Sequence, residues 1–234
     1  MSRDIRALLY YFMADFRFSL TVFWSILLSS IVLLFIIALS FGETMVGVSS
    51  SIAIYIFCAI SGFLMTKETF PFCIKLGSTR NSYVLSVFIF NVFIAVFMAT
   101  IHLVVSLSIR LLAKVGGVDN FNYFFTLDGT TLANTWYNQL MVDSLICFVL
   151  LSVGFLLSSI FYRLGMVGGL GSIAILAFAV ILPQTRDALI DFFVNANQVG
   201  IDLRIMPMLL LSLIAILPTW GLLRNASTAP GITR

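Results

Sequence analysis

Six long apolar runs divide the chain, at 19–40, 47–65, 83–109, 140–162, 165–182 and 205–223. A helix needs about 20 residues to cross a hydrocarbon core of roughly 30 Å, and each run is close to that length. None alternates apolar and polar residues as a barrel strand does, so the pattern predicts helices, whose backbone groups are satisfied without water. The fourth and fifth runs are separated only by Arg163 and Leu164, which predicts a tight helical hairpin. Residues 1–18 carry a different pattern. Ile5, Leu8, Leu9, Phe12, Met13 and Phe16 fall on one helical face, and Arg3, Arg6, Tyr10 and Arg17 on another. That pattern predicts an amphipathic helix lying in the membrane interface ahead of the first span.

Composition settles the class. Hydrophobic residues make up 61% of the 234 positions and charged residues 10%, against roughly half and a quarter in soluble domains. A chain this apolar is solvated by lipid. The expected fold is an all-α integral membrane protein, with one transmembrane domain over 1–234. The first run is long enough to span and is followed by no small-residue cleavage site, so it reads as a retained span. A net charge of +3 is too small to indicate a nucleic-acid partner. Its distribution is more informative. Arg3, Arg6, Arg17, Lys67, Lys75, Arg80, Arg163, Arg224 and Arg234 fall on the side of the N-terminus, and Arg110, Lys114, Arg186 and Arg204 on the other. Basic loops stay inside. Both termini are therefore expected in the cytoplasm of a multi-pass cell-membrane protein.

Candidate chemistry is sparse. Cys58, Cys73 and Cys147 form no CxxC and no Cys/His cluster, so no metal site is expected. The single histidine, His102, and one carboxylate inside a span, Asp143, stand at similar depth near the ends of their runs. Intramembrane ionisable groups are functional candidates by default; the expectation here is a structural pair rather than a proton relay. Gly169–Ala174 spells the G-x-G-x-x-A of a dinucleotide fold, but it sits within a span with no strand before it. A better reading of that region is a small-residue ridge of Gly165, Gly168, Gly169 and Ser172, which lets helices approach closely, within the chain or across a dimer seam. In the polar stretch after the fifth run, Thr185 is placed to N-cap a short helix. That stretch is less apolar than a re-entrant segment would be.

One polar strip, TKETFPFCIKLGSTRNS at 66–82, interrupts the second and third runs. Pro71 suits the first turn of a short helix and Gly77 its end. Glu68, Phe70, Phe72, Lys75, Thr79 and Arg80 surround them, in a connector longer than a plain turn requires. The order F-P-F, then L-G-x-T-R, then Tyr83, resembles the loop between the second and third spans in small permease subunits of type-2 ABC transporters from Gram-positive bacteria. The outline of an N-terminal amphipathic helix, six spans and no ATPase motif is similar too. The resemblance implies that the strip is a coupling helix docked on a separate ABC ATP-binding subunit, which would bind ATP and Mg while this chain binds no cofactor. It also implies a second permease subunit, identical or homologous, and an exporter whose cargo is amphipathic or hydrophobic, such as an antimicrobial peptide. The alternative from the residues alone is a stand-alone six-span carrier or membrane enzyme centred on His102 and Asp143.

Overall fold

A computed structural model describes residues 3–40, 45–118, 120–130, 132–197, 200–203 and 205–224. Of the basic residues tallied above, Arg204 and Arg234 lie outside them. In chain order the helices are α1 (Arg3–Ser40), α2 (Ser51–Leu64), α3 (Phe70–Lys75), α4 (Arg80–Val115), α5 (Trp136–Ile181), α6 (Pro183–Phe193) and α7 (Ile205–Arg224). Short strands β1 (Val46–Val48), β2 (Phe121–Tyr123), β3 (Val194–Asn197) and β4 (Gly200–Leu203) occupy the connections. Five helical runs are long and apolar enough to cross a membrane.

The longest run, α5, is folded in two. Gly165 sits at φ +71 and breaks the helical backbone. A Cβ on Gly169 would lie 2.1 Å from the Phe161 ring, although eight residues of straight helix would separate the two by about 12 Å. The arms therefore turn back on each other, as the two-residue gap predicted. Gly165 does not belong to a packing ridge, because it is the corner of the hairpin. Gly169 is buried within that hairpin, and the Ser172 hydroxyl is spent on the Gly169 carbonyl at 2.7 Å.

The N-terminal stretch also departs from expectation. No break separates an interfacial helix from a first span, and α1 runs continuously for 38 residues, about 57 Å. Neither Gly nor Pro occurs between 3 and 40 to interrupt it. Its apolar face meets protein, since Ile5, Leu8, Phe12 and Phe16 are buried. Phe12 packs edge-on against Tyr83 and Phe90, and Phe16 against Phe90. Aromatic pairs of this geometry add about 0.5–1.5 kcal/mol beyond area burial.

The closest packing is between α2 and the first arm of α5. A Cβ on Gly62 would lie 2.2 Å from the Leu151 carbonyl oxygen, and one on Gly154 would lie 2.3 Å from that of Ala59. The two backbones touch there. Thr66 and Ser159 continue the seam with hydroxyls 3.1 Å apart.

Other boundaries moved for local reasons. The second run begins at Ser51 rather than Gly47, because Val46–Val48 pairs in parallel with Phe121–Tyr123. Helix α6 starts at Pro183, whose ring suits a first helical position. Thr185 is therefore inside the helix, not its N-cap, and its hydroxyl donates to the Leu182 carbonyl at 3.4 Å. An antiparallel β3–β4 hairpin follows.

Candidate functional site

The two ends of the bundle carry different chemistry. At the N-terminal end, α2 passes through a π-helical turn (Met65–Thr69) directly into α3, so the strip is a continuation of a spanning helix. Pro71 occupies the first turn of α3 and Gly77 takes φ +91 just beyond its end, where only glycine is unstrained. Thr79 then caps α4 by accepting the Ser82 backbone N–H at 3.2 Å.

The strip divides into an inner and an outer face. Phe70 is fully buried between the rings of Tyr83 and Tyr162, at 5.1 and 5.3 Å. The Tyr83 hydroxyl donates to the Met65 carbonyl, which the π-helical turn leaves accessible. Cys73 is buried beside them, and burial, reinforced by the Asp15 charge, pushes its thiol up to about 11. The outer face holds Phe72, stacked on Tyr11 at 5.1 Å yet 45% exposed, with Leu76 at 69%. Lys67, Glu68, Lys75 and Gly77 are exposed around them.

Arg80 has a role inside the chain. Its guanidinium donates to the carbonyls of Leu223 and Arg224, the last turn of α7. Arg163, at the hairpin corner, donates to the Gly221 carbonyl at 3.1 Å, and the Trp220 indole to Asn81 at 2.9 Å. Cations at a helix C-terminus satisfy orphan carbonyls and complement the helix dipole. The basic residues at this end therefore hold α7 against α4 and α5. Of the strip's expected docking residues, Phe70 and Arg80 are thus committed internally, while Glu68, Phe72 and Lys75 remain available.

The far end is closed. His102 of α4 and Asp143 of α5 meet with Nδ1 and Oδ2 2.7 Å apart, and each is 1% exposed. The hydroxyls of Tyr55 from α2 and Thr126 from the connection between α4 and α5 approach Asp143 Oδ1 at 2.6 and 2.8 Å. On the other side of the ring, His102 Nε2 faces the Tyr123 hydroxyl at 3.4 Å. Tyr123 belongs to β2 and also bonds Ser50 and Ser106. Arg110 fixes the same connection by donating to the Tyr123 carbonyl and to Asp128, both at 3.1 Å, and lies over the Phe125 ring. The network joins α2, α4 and α5 to the connection between α4 and α5. Low dielectric strengthens such bonds and penalises any partner left unmade. It is built as a brace, with no opening among the described cavities.

Spacing alone placed His102 and Asp143 together. It did not supply Thr126 or Tyr123, because loop residues reveal no depth until the chain folds them inward, and it did not supply Tyr55, because a residue on an apolar helix does not name the partner of its hydroxyl. The α2–α5 glycine seam was readable in principle from Cys58, Gly62 and Thr66 at four-residue intervals. Among the described residues no group of His, Cys, Asp and Glu is arranged to hold a metal ion. No protein-family model, curated protein or solved structure matches the chain.

Proposed function

We propose that the chain is the membrane-spanning permease subunit of an ABC exporter. It crosses the membrane six times with both termini in the cytoplasm, pairs with a second permease, and is driven by a separate ATP-binding subunit that supplies ATP and Mg. The observation that carries this reading is the two-faced strip at the end of α2. Phe70 and Cys73 lock it to the core, while Phe72 and Leu76 stand out among exposed charges. An element tied to a spanning helix by unbroken helical backbone transmits force in either direction. Exposed aromatics in a charged surround are the usual anchors of a protein interface. The cargo is amphipathic or hydrophobic, as the apolar flanks of the helices suit. Co-expression with an ABC ATP-binding subunit tests the reading: the two should co-purify, and ATP hydrolysis should respond to cargo.

A second reading draws on the contact between His102 and Asp143, a polar centre of the kind that a stand-alone carrier or membrane enzyme would use. It requires access to the pair, which is sealed at 1% exposure. Asp143→Asn and His102→Gln decide between them. The exporter reading expects transport and its pH dependence to survive both, and the carrier reading expects turnover to collapse at normal expression.

A further inference from the structure

A groove runs between α1 and α4 on the outside of the bundle, with a volume of about 470 Å³. That lies within the range of about 300–1,000 Å³ typical of small-molecule sites. Its walls are Phe16, Leu20, Trp24 and Leu28 of α1 and Phe97 and Ile101 of α4. It opens sideways from the bundle, where apolar side chains of both helices are exposed to the surroundings.

Three features give it a direction. Arg17 lies at the end nearest the N-terminus and has no acidic partner among the described residues. Long basic side chains at the end of an apolar span reach toward the headgroup layer. Below it the wall is apolar, and the Thr21 hydroxyl is already spent on the Arg17 carbonyl at 2.8 Å. Trp24 lies seven positions further, about 10 Å along the helix, and its indole N–H is buried without a hydrogen-bond partner.

A cation at the rim and an apolar trough beneath it match the head and tail of an anionic amphiphile. We propose that this groove binds one anionic phospholipid from the leaflet on the N-terminal side. Its phosphate pairs with Arg17, and an acyl chain fills the trough between α1 and α4 beside Trp24. The site needs only that α1 and α4 lie in a bilayer and is independent of the exporter reading.

The test uses the full-length chain with Trp136 and Trp220 replaced by phenylalanine, so that Trp24 alone fluoresces. It is reconstituted in vesicles holding dibrominated phosphatidylglycerol or dibrominated phosphatidylcholine. Bromine quenches an indole it touches. Phosphatidylglycerol should quench Trp24 with about fivefold higher apparent affinity, the effect of one basic side chain at an anionic site. Arg17→Gln should abolish that preference, and Arg6→Gln, on the same helix but away from the groove, should retain it. Native mass spectrometry of the unsubstituted chain and Arg17→Gln gives a second readout, with retained phosphatidylglycerol lost in the variant. Equal quenching by both lipids would reduce the groove to ordinary boundary lipid and overturn the proposal. Absence of quenching by either would show the groove covered by protein, such as a second copy, and would overturn it as well.

Discussion

The two ends of the helical bundle handle their polar groups in opposite ways. At the far end His102, Asp143, Tyr55, Thr126 and Tyr123 turn inward and satisfy one another out of reach of solvent. At the N-terminal end, Arg80 and Arg163 are used to fasten α7, while Phe72, Leu76, Lys75 and Glu68 face outward. A closed network stabilises one arrangement of helices. An exposed aromatic and aliphatic pair among charges has most to gain from a partner. The contrast separates the part of the molecule that holds itself together from the part available for contact.

The largest effect should come from opening the closed end. Asp143→Ala leaves His102 buried, and Tyr55 and Thr126 part-buried, without their acceptor and should cost about 3–5 kcal/mol, as breaking a buried pair does. Asp143→Asn keeps an acceptor oxygen and should cost much less. Denaturant titration of the purified protein in detergent checks both, and equal losses would show that the carboxylate is not the hub. Next comes the seam that joins the two ends. Gly62→Leu must force α2 and α5 apart and should destabilise by about 1–3 kcal/mol or more. Gly171→Leu, in the second arm of α5 where a side chain meets nothing within 4 Å, should be nearly neutral in the same titration.

At the N-terminal end the effects are smaller. Arg80→Gln removes a cation from the last turn of α7 and should cost about 1 kcal/mol, within the range for a helix-dipole contact. Arg80→Lys should recover part of it, and a loss of partner binding without loss of stability would return Arg80 to the docking surface. Cys73 offers a test with almost no energetic effect. Its thiol titrates near 11 rather than the ordinary 9, so the folded form keeps its proton as pH rises through 9 and yields thiolate only toward 11. Maleimide should therefore leave Cys73 nearly unmodified at pH 8, and rapid modification there would mean that α3 does not stay seated.

Much of this division was legible in the sequence, and the illegible parts share a cause. The apolar runs placed the spanning helices, and Arg163–Leu164 placed the hairpin, since helix length and a two-residue gap leave few alternatives. Pro71 and Gly77 placed α3 between them. What the pattern misassigned depends on neighbours. Phe12 and Phe16 look the same whether they meet lipid or Phe90. Arg80 looks the same whether it awaits a partner or α7. Gly165 and Gly169 share a four-residue interval, yet one is a turn and the other a packed helix position. A single chain's periodicity identifies an apolar face but does not name what covers it. The brace around Asp143 was half visible for the same reason, because His102, Asp143 and Tyr55 lie on apolar runs while Thr126 and Tyr123 arrive from a connection with no period.

The most direct measurement is capture of a co-expressed ABC ATP-binding subunit, the partner the proposed function requires, by wild type and by a Phe72→Asp, Leu76→Asp double variant, at matched expression and matched stability. Leu76 stands outside the core and Phe72 gives up its stacking on Tyr11, so the fold should be retained with a loss of about 0.5–1.5 kcal/mol. Capture should fall by more than tenfold, as expected when an interface anchor contributes about 2 kcal/mol. Undiminished capture by the double variant, with hydrolysis still responding to cargo, would contradict the assignment of this strip as the contact through which the chain is driven.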